Sequence, residues 1–183
     1  QEVFIPETPE SEPKVENQDL SFDLSVADGH PLDFDRKGPF FHSILKATST
    51  DGLSFEKNAN ILFEHASVPD VVRLPDGRIA LYAVDGAGRS RSGLVVAFSD
   101  DEGITWKIGS LQLISAAGHT GLADPEVVLL PDGTVRMYYV IFPQPNVHTG
   151  NNQIWSAISS DGIHFVEEEG IRFIYQQLTD PDV

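Results

Sequence analysis

The sequence predicts an all-β chain, an incomplete β-propeller made of four-stranded antiparallel blades. About two blades are whole and two others are present in part. Three observations carry this expectation. Short apolar runs alternate with Gly, Pro and Asp punctuation. A repeat with a fixed period runs through the second half of the chain. A Ser/Asp/Gly/aromatic pattern recurs out of phase with that repeat.

The strands come first. DVVRL (70–74), RIALYAV (78–84), GLVVAF (93–98), EVVLL (126–130), VRMYYVIF (135–142) and QIWSAI (153–158) are rich in Val, Ile, Tyr and Phe. Each is bounded by turn-forming residues, and no long stretch shows helical periodicity. The repeat then orders them. VPDVVRLPDGRIALYAV (68–84) matches DPEVVLLPDGTVRMYYV (124–140). Pro69 recurs as Pro125, Pro75 as Pro131, Gly77 as Gly133 and Tyr82 as Tyr138, all at one constant offset. DPDV (180–183) opens a third copy, with Pro181 at that same offset from Pro125. Each copy is a strand, a turn at LPDG and a returning strand. Pro presets φ for that turn, and Gly tolerates the positive φ that follows.

The second pattern supplies the other half of each unit. Ser99-Asp100-Asp101-Glu102-Gly103-Ile104-Thr105-Trp106 reads S-x-D-x-G-x-T-W, and shorter relatives stand at 49–55 and 159–165. Asp accepts hydrogen bonds from the N–H groups of its own turn, Gly permits the reversal, and the aromatic residue pins the outgoing strand. Asp51, Asp101 and Asp161 therefore read as turn residues, with calcium ligation as the alternative. Asp101 falls between Pro69 and Pro125, and Asp161 between Pro125 and Pro181, so each repeat unit holds four strands. Such units in tandem are propeller blades, near 68–108 and 124–166. Strands of an earlier blade lie near 41–57, and a later blade opens at 180. A ring closes with about four to eight blades. The expectation is that the rest of a longer polypeptide, or a second chain, supplies the remaining blades.

Ahead of the blades, residues 1–37 read as a disordered acidic linker, with 38–183 as the partial propeller. Pro6, Pro9 and Pro13 stand among Glu2, Glu7, Glu10, Glu12 and Glu16. Little there is apolar enough to offset the entropy of ordering. A tail docked on the domain is the other reading. The chain opens on Gln1, which reads as a processed or excised start with no signal peptide left to see.

Composition narrows the partners. The 183 residues are 40% hydrophobic, enough for a core, and 12 basic against 28 acidic residues give a net charge of −16. Phosphate backbones and anionic membranes repel such a chain, so nucleic acid is not an expected partner. No apolar run approaches the roughly 20 residues of a membrane span. With no cysteine there is no disulfide, thiolate nucleophile or Cys-based zinc site. No cofactor or metal site is assigned.

The Ser/Asp pattern resembles the Asp-box of sialidases, and the blade repeat resembles five-bladed glycosidase-like propellers. The resemblance covers about residues 40–183. It implies a carbohydrate-active, glycoside hydrolase-like propeller with a glycan as partner, in an extracellular or periplasmic setting. A non-catalytic propeller that binds a protein or surface polysaccharide is the alternative. The LPDG and Asp turns share one end of the blades. The longer entry and second-to-third-strand loops share the other, where propeller ligands tend to bind. In the five-bladed glycosidases an Asp-Pro pair at the mouth of an innermost strand carries a catalytic carboxylate. That points to Asp124 and Asp180. Glycoside hydrolysis needs two such carboxyl groups.

Around them, Glu126 and Asp70 hold the next matching acidic positions as substrate-binding candidates, and Asp182 follows in the third copy. Val68 replaces Asp124 in the first copy, so the blade itself does not require the Asp-Pro pair. A turn role for both Asp residues is the plain alternative. His119 sits five residues before Asp124 as a candidate for a sugar hydroxyl. Arg89 and His148 occupy matching loops as further substrate-binding candidates, and each also reads as an ordinary surface residue. Sialidases carry an arginine triad and an F/Y-R-I-P motif. The motif is absent and the triad cannot be assembled from the arginines present. No Glu stands in a clear acid motif.

Overall fold

The computed structural model describes residues 22, 24–29, 37–143 and 151–183. Most of the expected linker, and His148, lie outside the described residues. A 3-10 turn at Pro39–Phe41 precedes strands β1 (Ser43–Thr48), β2 (Glu56–Glu64), β3 (Ala66–Arg73), β4 (Ile79–Asp85), β5 (Leu94–Ser99) and β6 (Lys107–Ser110). There follow β7 (Gln112–Ile114), β8 (Ala123–Leu129), β9 (Val135–Ile141), β10 (Asn151–Ser159), β11 (His164–Glu167) and β12 (Phe173–Gln176). Among the described residues no helix is long and apolar enough to cross a membrane.

The architecture is an incomplete β-propeller of four-stranded antiparallel blades. β3-β4-β5-β6 is one whole blade, β8-β9-β10-β11 the next, and β1-β2 the last two strands of a preceding one. Two features go beyond the sequence reading. After leaving the first whole blade the chain forms β7, which runs parallel to β11 on the outer edge of the second. β12 then extends the outer edge by pairing with the other end of β10.

Local chemistry explains the turns. Gly77 and Gly133 take φ of 91° and 86° in the two LPDG hairpins. At the Asp turns one carboxylate oxygen collects two backbone N–H groups: Leu53 and Ser54 on Asp51, Ile104 and Thr105 on Asp101, Ile163 and His164 on Asp161. In each, the preceding Ser hydroxyl also donates to that oxygen. Bonds from Thr105 and its neighbours bring Asp101 down to about 2. Burial opposes the shift at Asp161, yet the bonds from His164 and Ile163 win and hold it at about 2.

The repeat extends to backbone conformation. His65, Gly121 and Gln177 hold the same place in successive copies and have φ of 57°, 66° and 58°. Three positions further along, Val68, Asp124 and Asp180 have φ of 48°, 48° and 47°, each just before a proline. The β3–β4 register shifts between Ser67 and Asp70, and the β8–β9 register between Ala123 and Glu126. The innermost strand of each whole blade therefore enters through a left-handed bulge. Proline suits the bulge because it has no N–H to give to the ladder. Asp tolerates left-handed φ, whereas β-branched Val does not. Val68→Asn is expected to stabilise the chain by about 1 kcal/mol, raising Tm by roughly 2–4 °C in a thermal melt. A fall in Tm would show that the Val68 side chain contributes more than the strain costs.

The main core lies between the two whole blades. Tyr82, Leu94, Val96 and Phe98 meet Val135, Met137, Tyr139 and Phe165 there. Tyr82 is fully buried, with its ring edge-on to Phe165 at 5.8 Å. Its hydroxyl donates to the Gly162 carbonyl at 2.9 Å, in the Asp turn of the next blade. Each large side chain buried in this way contributes about 1.5–3 kcal/mol. A second core joins Leu81, Ala83, Val95 and Ala97 to Ile44 and Phe63, with Phe22 against it. Ala27 donates its N–H to the Ala87 carbonyl at 3.1 Å.

Candidate functional site

The innermost strands bring five carboxyl groups to one rim: Asp70 on β3, Asp124 and Glu126 on β8, and Asp180 and Asp182 at the third copy. Strand alternation places 124 with 126, and 180 with 182. The blades meet here through these side chains. Asp70 Oδ2 accepts the Val127 N–H of the next blade at 2.6 Å, and its Oδ1 accepts the Val71 N–H. The Glu126 carboxylate accepts the Val183 N–H in the same way, one repeat later. Asp124 Oδ2 lies 3.4 Å from the Asp180 N–H. The free edge of an innermost strand leaves N–H groups without a ladder partner. An acidic residue from the preceding copy satisfies one of them at Asp70 and at Glu126, and Asp182 holds the same place in the third copy.

This crowding sets the electrostatics. Burial pushes the Asp124 carboxyl above its ordinary value, the Asp180 charge pushes it further, and the Asp180 N–H pulls against both. Glu126 is raised by burial, then by Asp70 and Asp182, against the Val183 N–H. A carboxyl raised by burial and a like-charged neighbour holds its proton longer than one in water, the property a general acid requires. Such a group disfavours the folded state once it ionises. The part of stability it governs is present below its unfolded pKa and is lost as pH rises through the folded one. A groove of about 320 Å³ lies elsewhere, between β1 and the first whole blade, and includes Ile44, Val71, Ile79 and Trp106 in its walls. The rim carboxylates do not line it.

His119 is held by partners within its own blade. Its ring meets Trp155 on β10 edge-on at 4.6 Å, and its Nδ1 bonds Glu167 Oε2 on β11 at 2.6 Å. Arg89 turns inward. Its side chain is 6% exposed, and the guanidinium pairs with Asp85 at 2.9 Å and donates to the Glu64 and His65 carbonyls. It ties the loop after β4 to the strand entry and offers little to a ligand.

Glu167, which no motif of the sequence marks, accepts the hydroxyls of Ser115 at 2.8 Å and Tyr139 at 2.6 Å besides bonding His119. Burial opposes its charge, but the bonds from Tyr139, His119 and Ser115 hold the carboxyl below its ordinary value. The cluster fastens the loop that runs from the outer edge of the blade to Asp124. Within the run VEEEG no periodicity singles out Glu167, because its partners come from separate segments.

No protein-family model matches the chain, and no curated protein matches it. Solved structures do. The chain is similar to Zg3597, a family 117 glycoside hydrolase of the marine bacterium Zobellia galactanivorans, with a TM-score of 0.53 and 18% identity over 69% of this chain and 41% of that one. It is also similar to a candidate glycoside hydrolase from Parabacteroides distasonis, with a TM-score of 0.50 and 21% identity over 69% of this chain and 40% of that one. The chain thus spans about two fifths of the length of either structure. At these identities the likeness speaks for the fold.

Proposed function

We propose that the chain is an arc of a carbohydrate-active, glycoside hydrolase-like β-propeller, with its glycan site at the inner-strand rim. Residues 38–183 form the arc and 1–37 a linker to it, laid against the arc at Phe22 and Ala27. The observation that carries the reading is the pairing of Asp124 and Asp180. They take the same left-handed φ at equivalent positions of successive repeats, close enough for the Asp180 charge to raise Asp124. Asp124, whose carboxyl is raised above its ordinary value, serves as acid to the leaving oxygen, and Asp180 as base or nucleophile. The fold shared with glycoside hydrolases and the resemblance of the Asp turns to the Asp-box support this reading. An extracellular or periplasmic setting fits such a substrate.

The test measures reducing-sugar release from a polysaccharide panel by the complete polypeptide, with Asp124→Asn and Asp180→Asn beside it. Each variant is expected to lose about 10²–10⁴-fold in turnover while still binding glycan. In Asp180→Asn, loss of the neighbouring charge lowers Asp124, so the alkaline limb of the residual pH profile moves to lower pH. Turnover unchanged in both variants removes the catalytic assignment. Binding by the parent with no turnover on any glycan favours the non-catalytic module, a reading that the use of rim carboxylates to join strands would then explain.

A further inference from the structure

We propose that the outward face of the second whole blade receives a further four-stranded blade, continuous with this polypeptide through Asp180–Val183, and that the Tyr138 hydroxyl is its anchoring donor. The two junctions already formed set the pattern. Between the whole blades, Tyr82 donates to the Gly162 carbonyl at 2.9 Å. One junction earlier, the equivalent carbonyl of Gly103 accepts Lys46 Nζ at 3.0 Å. At both of these junctions the Asp-turn glycine carbonyl is met by a donor from the blade before it.

Tyr138 is the counterpart of Tyr82. It holds the same place in the next copy of the repeat and pairs with Glu126 as Tyr82 pairs with Asp70. Its oxygen accepts a bond from Arg136, and no acceptor for its own proton is seen among the described residues. The strand registers put Tyr138 on the same face as Val166, Phe173 and Tyr175. Those three side chains are 50%, 53% and 65% exposed, whereas the matching face of the first whole blade is the buried core. The entry to a further blade is already seated. Asp180 repeats the φ of Val68 and Asp124, and the Val183 N–H reaches Glu126 as the Val127 N–H reaches Asp70. This covalent entry favours the same polypeptide over a second copy, whose first ordered sheet is the β1-β2 ribbon.

The test compares thermal melts of the chain ending at Val183 with those of the polypeptide carrying its natural continuation past that residue. Tyr82→Phe is expected to lower Tm by about 2–4 °C in both. Tyr138→Phe is expected to do so in the longer polypeptide alone. As a second readout, nitration by tetranitromethane followed by mass spectrometry is expected to modify Tyr138 several-fold more slowly in the longer polypeptide. Three results overturn the proposal: natural termination at Val183, an equal effect of Tyr138→Phe in both proteins, or equal nitration. None of them depends on glycan turnover, so failure here and failure of the glycosidase reading remain distinct.

Discussion

Asp85→Ala is expected to destabilise the fold by about 3–5 kcal/mol, read by urea denaturation monitored by fluorescence. The Asp85 side chain is 0% exposed. One oxygen accepts Arg89 Nε at 2.9 Å and the Ala87 N–H at 3.1 Å, and the other accepts the Ser90 N–H at 2.6 Å. Removing it strands a buried guanidinium that keeps only backbone carbonyls, and it frees two loop N–H groups. A salt bridge that is broken on one side costs more than its net worth, because the remaining charge stays desolvated. Asp85→Asn, which keeps an acceptor, is expected to lose less. A change below about 1 kcal/mol in Asp85→Ala would mean that the loop relaxes to water, and the placement of Arg89 as an internal tie would be wrong.

Glu167→Ala is the second large loss, expected at about 2–4 kcal/mol. It leaves the fully buried Tyr139 and the hydroxyl of Ser115 without their acceptor, and it releases His119 from β11. A double-mutant cycle with Tyr139→Phe isolates the shared bond, with a coupling of about 1–3 kcal/mol expected. Additive effects would show that the two side chains do not act on one another. The same variant bears on the rim, because the loop that His119 fastens leads directly into Asp124. In the complete polypeptide, glycan affinity is therefore expected to weaken in Glu167→Ala even where the fold survives.

Much of this molecule is legible in its residues. LPDG at 74–77 and 130–133, the Asp turns and the constant spacing of the copies announce four-stranded units, because turn chemistry is local and repeats with its residues. Acidic residues at 70, 126 and 182 stand out as a matched set, although the sequence hides their reason. Asp70 and Glu126 answer N–H groups of the next copy, a need that exists only once blades stand side by side. The internal partners of His119 and Arg89 are hidden for the converse reason. A polar residue in a Gly-rich loop looks free to meet a ligand until the loop is laid against a sheet.

Periodicity and turn residues thus specify the hairpins and the order of strands within a blade, since each rests on pairing between strands that follow one another along the chain. Which carboxylates hold protons, which cation is internal and which faces are joined depend on groups far apart in the chain, such as His65 with Arg89 and Tyr82 with Gly162. Charge and desolvation act through space and not along the chain, so only the folded arrangement decides them.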